Sequence, residues 1–415
     1  SNMKIATTAA ALSRLGPDFK FSTRICAKGR IEDGVLKGDL GVVGSGDPNF
    51  SGRFYADDPY GAFRGWARQM KKLSISVVEG DLVLDDGAFD REGVHPAWPG
   101  SQLQEWYCAP VSALSFNDGC VEIHVSPGRS GEAARVRFIP ASAPIRLLNA
   151  AVTTSDRAAH RVIVTRSPDG QTISVGGKVW DRAETLKEFV AVKDPAMFFG
   201  SGLRAAFEAE GIAVRGKVRL VAAGERVGGE GWTALLEHAS GLVQAIEVAN
   251  RRSQNLYAEQ IFKALGKDAK GEGTFAKGSE AVRDYLASIG IRDPLVVVDD
   301  GSGLSRNNRV APAHLTRILA EMWRSPQRDI FRNSLATPGG EGTLSKRFPD
   351  ARLEGRLFAK TGTIAGVSAL SGYAKGEDDR WRAFSVLVQF EGKGFSLADA
   401  RRIEDRIAIE VAKGP

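Results

Sequence analysis

The sequence predicts an α/β (α+β) domain interrupted by a long β-rich insertion, and three observations carry that reading. The chain opens on an apolar, Ala-rich run of helical spacing. Its middle breaks into short β-like segments separated by Gly, Pro, Ser and Asp. Its final part returns to long helices and ends in a small antiparallel sheet and a last helix. A chain of 415 residues exceeds one ordinary domain. The expected division places residues 1–24 and 231–415 in one discontinuous domain, with residues 25–230 as an insertion of two nested subdomains.

The opening run carries Ile5, Ala9, Leu12 and Leu15 at helical spacing, and Gly16-Pro17 ends it. From Phe19 to about Gly46 the pattern is strand-like, with turns expected at Asp33-Gly34 and Gly38-Asp39. Gly61 to Leu73 reads as a helix and Asp81 to Leu84 as a strand. Roughly Val121 to Val221 is β-rich, as in Ala134 to Ile139, Arg161 to Arg166 and Thr172 to Val175; one helix interrupts it near Met197 to Glu210, stopped by Gly211. After Gly231, Leu235 to Asn250 reads as a helix with Leu242, Ile246 and Ala249 on one face. Tyr257, Ile261 and Leu265 mark another, ended by Gly266, and the polar run Arg251-Arg252-Ser253-Gln254-Asn255 separates the two. Further helices are expected from Phe275 to Ile289 and after Pro312. Leu357 to Ala359 leads a strand into Lys360-Thr361-Gly362-Thr363, Val367 to Ala374 and Arg382 to Phe390 form a hairpin, and Leu397 to Val411 is the closing helix.

With 43% hydrophobic and 26% charged residues, the composition is that of a soluble globular protein. No apolar run approaches the ~18 residues of a membrane-spanning helix. No signal-peptide pattern is present, and the natural chain is expected to extend upstream so that Ser1 is an interior residue. A net charge of +6 would suit nucleic acid, an acidic polymer or a membrane surface. The bases are instead scattered among acids, the pattern of a solvated surface, and no nucleic-acid partner is expected. Of the three cysteines, Cys108 and Cys120 could bridge in an oxidising compartment, leaving Cys26; three buried thiols fit equally well. The five histidines, His95, His124, His160, His238 and His314, lack ligand spacing, so neither a metal nor a cofactor is implied.

Three short elements carry chemistry: Ser1-x-x-Lys4 at a helix start, Ser253-x-Asn255 in a break between helices, and Lys360-Thr361-Gly362 on a strand. Alone, each is weak, and Ser1-Asn2 before Met3 also fits an expression scar. In this order, each in its local structure, they form the signature of penicillin-interacting serine enzymes. A serine hydroxyl needs a base within reach, and Lys4, on the same face of the first helical turn, is placed to be one. It must be neutral to act, through desolvation and a nearby cation, for which Lys360 is the candidate. Ser253 and Asn255 would relay the proton to the leaving amine and hold the substrate amide.

Together with the segments around Ser1 to Thr23, Leu40 to Pro48, Ala109 to Leu114, Asp300-Gly301-Ser302-Gly303-Leu304-Ser305, Gly342-Thr343-Leu344 and Ala359 to Ala374, these motifs resemble the class C low-molecular-mass penicillin-binding proteins, which are D-alanyl-D-alanine carboxypeptidases and endopeptidases. The resemblance spans nearly the whole chain. It implies a serine DD-peptidase/β-lactamase-like domain with an antiparallel sheet and helices on both faces. It also implies that Lys360, Thr361 and Thr363 receive the substrate carboxylate, that Gly362 lets the substrate backbone approach the strand, and that the backbone N–H groups of Ser1 and Thr363 form the oxyanion hole.

One departure stands out. Where family members often read Trp-Pro-Trp followed by acidic residues, this chain has Trp98-Pro99-Gly100-Ser101-Gln102. Trp98 is expected either to wall the substrate site or to pack its own loop, and neither Ser101 nor Gln102 can pair with a side-chain amine of the stem peptide. The expected function is an extracytoplasmic, periplasmic hydrolase of peptidoglycan stem peptides and crosslinks that is acylated on Ser1 by penicillin. The alternatives are a β-lactamase, an N-terminal nucleophile hydrolase using Ser1, and a non-catalytic cell-wall scaffold.

Overall fold

The computed structural model describes residues 1–349, 352–391 and 394–414. It divides into two compact units: residues 1–21, 95–98 and 240–415 form unit 1, and residues 22–94 and 99–239 form unit 2. The short segment His95–Trp98 belongs with unit 1 although it lies within the expected insertion.

In chain order, helix α1 (Met3–Arg14) is followed by the antiparallel pair β1 (Lys20–Glu32) and β2 (Val35–Val43). Asp33 and Gly34, at φ 48° and 80°, make the tight turn between them. Gly38 is no turn: it lies opposite Gly29, where a side chain on Gly38 would sit 1.9 Å from the Lys28 carbonyl oxygen. Next come α2 (Gly61–Lys72), β3 (Val77–Val78), β4 (Leu82–Asp85), β5 (Cys120–Ser126), β6 (Arg135–Ile139), β7 (Arg146–Asn149), β8 (Val152–Thr154), β9 (Arg161–Arg166), β10 (Thr172–Trp180) and β11 (Leu186–Ala191). Helix α3 (Pro195–Ala209), started by the Asp194 cap on Met197 N, leads to β12 (Ala213–Val214), β13 (Val218–Leu220) and β14 (Trp232–Gly241).

These strands make three sheets in unit 2. One holds β12-β3-β2-β1-β14 with β4 and β13, a second is β11-β5-β6, and in a third β7, β8 and β9 pair with β10. Phe50, Phe63, Trp66, Phe116, Phe198 and Phe199 pack ring to ring in its core. Cys26, Cys108 and Cys120 are free, buried thiols; burial pushes Cys108 up to about 12.

The remainder of unit 1 comprises α4 (Leu242–Arg251), α5 (Asn255–Lys270), α6 (Phe275–Ser288), α7 (Pro312–Arg324), α8 (Arg328–Ser334), β15 (Leu357–Ile364), β16 (Val367–Lys375), β17 (Trp381–Gln389) and α9 (Leu397–Lys413). Two boundaries differ from the sequence expectation. Leu235 to Gly241 is strand rather than helix, because its half-buried apolar residues pair along β1. Helix α5 runs through Gly266, which serves packing: a side chain there would lie 2.7 Å from Gly278 N on α6.

The three-strand sheet β15-β16-β17 is antiparallel, and its alternation assigns its faces. Leu370 and Ala374 pack in one core with Ala408 and Ala412 of α9. Tyr373, of the opposite parity, donates to the Leu319 carbonyl of α7 at 2.8 Å. Helices therefore cover both faces, as the resemblance implied. Residues Asn2 to Leu12 are all buried, so α1 is a central helix, in keeping with its apolar, Ala-rich run. Its polar residues are satisfied inside: Thr7 Oγ1 donates to Gly301 O at 2.8 Å and Thr8 Oγ1 to Lys4 O at 2.6 Å.

Candidate active site

All three motifs lie in unit 1, and two hydrogen bonds join them pairwise. Lys4, fully buried on the first turn of α1, donates to Asn255 Oδ1 at 2.6 Å and to the Ser302 carbonyl at 2.9 Å. Lys360, fully buried on β15, donates to Ser253 Oγ at 2.7 Å and to the Thr361 carbonyl at 2.8 Å. Ser253 adopts φ 61° in the break between α4 and α5, a left-handed conformation unusual for a non-glycine residue. Asn255 opens α5 one residue beyond Gln254, so one short kink delivers both groups.

Ser1 is half-buried just before α1, and its carbonyl accepts Lys4 N–H at 3.1 Å. The loop Asp300–Ser305 backs it. Gly303, at φ 79°, lies so close that a side chain would stand 2.8 Å from Ser1 N. Asp300 organises that loop by accepting Gly303 N–H at 2.7 Å and Ser305 N–H at 2.6 Å.

On the other side, Asn2 ties α1 to the sheet. With its amide oriented to satisfy both ends, Asn2 donates to the Lys360 and Thr361 carbonyls at 3.2 and 3.3 Å and accepts from Ser371 Oγ at 2.7 Å. This contact adds a packing reason for Gly362 beside the substrate approach that the resemblance implied. A side chain at Gly362 would meet the Asn2 amide at 3.1 Å and Ala369 Cβ at 3.2 Å, so the glycine serves the approach of α1 to β15. Thr361 Oγ1 donates to Thr343 Oγ1 at 2.9 Å, and Thr363 is exposed on the same strand. β15 is an end strand of its sheet.

Trp98, expected either to wall the substrate site or to pack its own loop, is held inside unit 1. It is 5% exposed, its indole donates to Asp300 Oδ2 at 2.9 Å, and its ring packs on Phe275. It supports the loop behind Ser1 from within.

Burial is the main cause of the unusual titration of both lysines. It pushes Lys4 down to about 8, against the pull of Glu259 and Asp300. It lowers Lys360 well below the ordinary lysine value, with the Lys4 charge adding to the effect. Of the two expected causes of a neutral Lys4, desolvation is the one that lowers it, and the charges acting on it, Glu259 and Asp300, raise it. Sequence reasoning missed Glu259, which is fully buried beneath the Gly301-Ser302 turn, and the signal for it was its place one turn after Asn255 on a helix buried from Asn255 to Gly266. Among the described residues no group of three or more His, Cys, Asp or Glu side chains could hold a metal.

Residues 1–412 match the D-Ala-D-Ala carboxypeptidase 3 (S13) family. The chain belongs to that family. It is therefore a serine peptidase of the D-Ala-D-Ala carboxypeptidase type, as the three motifs implied. A relative, the D-alanyl-D-alanine carboxypeptidase of Actinomadura sp. (strain R39), is 32% identical over 425 residues, covering 100% of this chain and 76% of the relative. The D-alanyl-D-alanine carboxypeptidase DacB of Haemophilus influenzae is 27% identical over 406 residues, covering 96% and 81%. The crystal structure of penicillin binding protein 4 (dacB) from Haemophilus influenzae has a TM-score of 0.83 at 25% identity, covering 100% of this chain and 90% of that one. Among the described residues no helix is long and apolar enough to cross a membrane.

Proposed function

We propose that Ser1 is the nucleophile of this S13 peptidase and that it attacks the D-Ala-D-Ala carbonyl of peptidoglycan stem peptides outside the cytoplasm, in the periplasm. Lys4, in the neutral form that burial favours, takes the Ser1 proton as the oxygen bonds to carbon. The backbone N–H groups of Ser1 and Thr363 stabilise the oxyanion, and the N-terminus of α1 adds a favourable field. Collapse of the intermediate breaks the peptide bond; Ser253, linked to Lys360, passes a proton to the departing D-alanine amine, and Asn255, linked to Lys4, holds the substrate amide. Water then releases the acyl group. Lys360, Thr361 and Thr363 receive the terminal carboxylate, whose charge favours the ammonium form of Lys360. Cleavage of D-Ala crosslinks would use the same steps.

The observation that carries this reading is the pairing of Lys4 with Asn255 and of Lys360 with Ser253, residues 251 and 107 positions apart. A β-lactam imitates the scissile bond, and Haemophilus influenzae penicillin binding protein 4 has been crystallised with one. Mass spectrometry after penicillin exposure should find one adduct on the peptide containing Ser1 and none in Ser1→Ala. Sustained penicillin turnover would favour a β-lactamase instead. Equal muropeptide binding by both proteins without D-alanine release would indicate a scaffold.

A further inference from the structure

Glu259 follows Asn255 by one turn of α5 and is 0% exposed. Its carboxylate is shared between consecutive amides: Oε2 accepts Gly301 N–H at 2.9 Å and Oε1 accepts Ser302 N–H at 2.7 Å. The carbonyls of the same two residues hold α1. Gly301 O accepts Thr7 Oγ1, and Ser302 O accepts the Lys4 amine. A buried carboxylate is costly unless its acceptor capacity is used, and here both oxygens are engaged by the turn that contacts Lys4.

We propose that Glu259 is the positioning residue of the general base: its carboxylate locks the Gly301-Ser302 turn so that the Ser302 carbonyl, with Asn255, aims the Lys4 amine at Ser1. The inference rests on the assignment of Lys4 as base made above. Glu259 acts through the Ser302 peptide and touches no reacting atom. A glutamine cannot replace it, because one end of its amide is a donor and would face an N–H group of the turn.

Glu259 and Lys4 also share one electrostatic environment. The charged groups around Lys4 are Glu259 on α5, Asp300 on the loop after α6 and Lys360 on β15. Burial and Asp300 push Glu259 upward, while the hydrogen bonds from Gly301 and Ser302 favour its carboxylate form. The Glu259 charge raises Lys4 against the effect of burial. Because Glu259 pulls Lys4 upward, a residue that does not ionise should displace the rising, acidic limb of the rate profile, where Lys4 loses its proton, to lower pH.

The test compares wild type, Glu259→Gln and Glu259→Asp in hydrolysis of a D-Ala-D-Ala peptide and in acylation by penicillin, each across pH. Glu259→Gln should lower kcat about 100-fold with KM nearly unchanged, a size typical of a misplaced catalytic group. Its limb should move down by about one pH unit. Glu259→Asp, which keeps the charge on a shorter stem, should lose less in kcat and keep the wild-type limb. Wild-type kcat in Glu259→Gln overturns the proposal, as does a fall in kcat with the limb unmoved, the mark of a merely structural loss. Should near-ultraviolet circular dichroism show Glu259→Gln unfolded, Glu259→Asp decides: reduced kcat at constant KM with the wild-type limb supports the proposal, and unchanged kcat overturns it. Wild type without an adduct on Ser1 overturns the base assignment and this inference with it; an adduct on Ser1 with Glu259→Gln unaffected overturns this inference alone.

Discussion

Unit 1 encloses Lys4, Lys263 and Lys360 at 0% exposure together with Glu259 and Asp300, whereas the largest fully buried side chains of unit 2 are Trp66, Phe50, Phe63, Phe116, Phe198, Phe199 and Phe207. Burying an ion costs several kcal/mol even after relaxation, while a buried aromatic ring contributes area and ring-ring contacts. Chemistry and stability are therefore drawn from different side chains, and substitutions in the two units should separate them.

The largest separation is expected from Lys4→Met, which should reduce D-alanine release by about 1,000-fold through loss of the base. It should also change how stability depends on pH. Lys4 sits at about 8 in the folded chain against 10.5 ordinarily, so between these values the unfolded chain binds more protons. The Lys4 contribution to stability accordingly rises with pH across that window, and Lys4→Met should flatten the rise in urea melts. An unchanged slope would contradict burial as the cause.

Next in size is Phe199→Ala in unit 2, which should cost about 3–5 kcal/mol of stability through the cavity left among its aromatic neighbours. Native molecules should still be acylated at the wild-type rate below the melting range. A rate that falls in step with stability would break the separation.

A smaller effect is expected from Gly362→Ala. The added methyl would press on Asn2 and Ala369, and about 1–2 kcal/mol of stability should be lost. Reduced kcat/KM with unchanged stability would instead favour substrate approach as the reason for the glycine. The smallest effect concerns the stem-peptide side chain. With Ser101 and Gln102 carrying no charge, amine-bearing and acetylated peptides should be hydrolysed within about fivefold of each other, the scale of one exposed ion pair. A large advantage for the free amine would show that another carboxylate meets it.

The motif residues were legible because each sits in the kind of local structure its neighbours announce: Lys4 in an apolar helix, Ser253 in a polar break, Lys360 in a strand. The family followed from their order. What the sequence could not show were contacts set by tertiary packing. Gly266 looked like a helix stop until α6 was found against it, and Leu235 to Gly241 looked helical because its apolar residues match both periods. Trp98 reads equally as a surface or a core aromatic until Asp300 supplies its indole with an acceptor. Glu259 resembles any helical glutamate; only the turn at Gly301-Ser302, some forty positions away, gives it a task.

The two acceptors of Lys4 have a stereochemical consequence. A neutral amine nitrogen is tetrahedral, with its carbon, two hydrogens and a lone pair at the four vertices. Asn255 Oδ1 and the Ser302 carbonyl engage the two hydrogens. The lone pair is left with one remaining direction, so free rotation about the terminal carbon–nitrogen bond is lost before any substrate arrives. Basicity at this nitrogen is thus a vector as well as a magnitude.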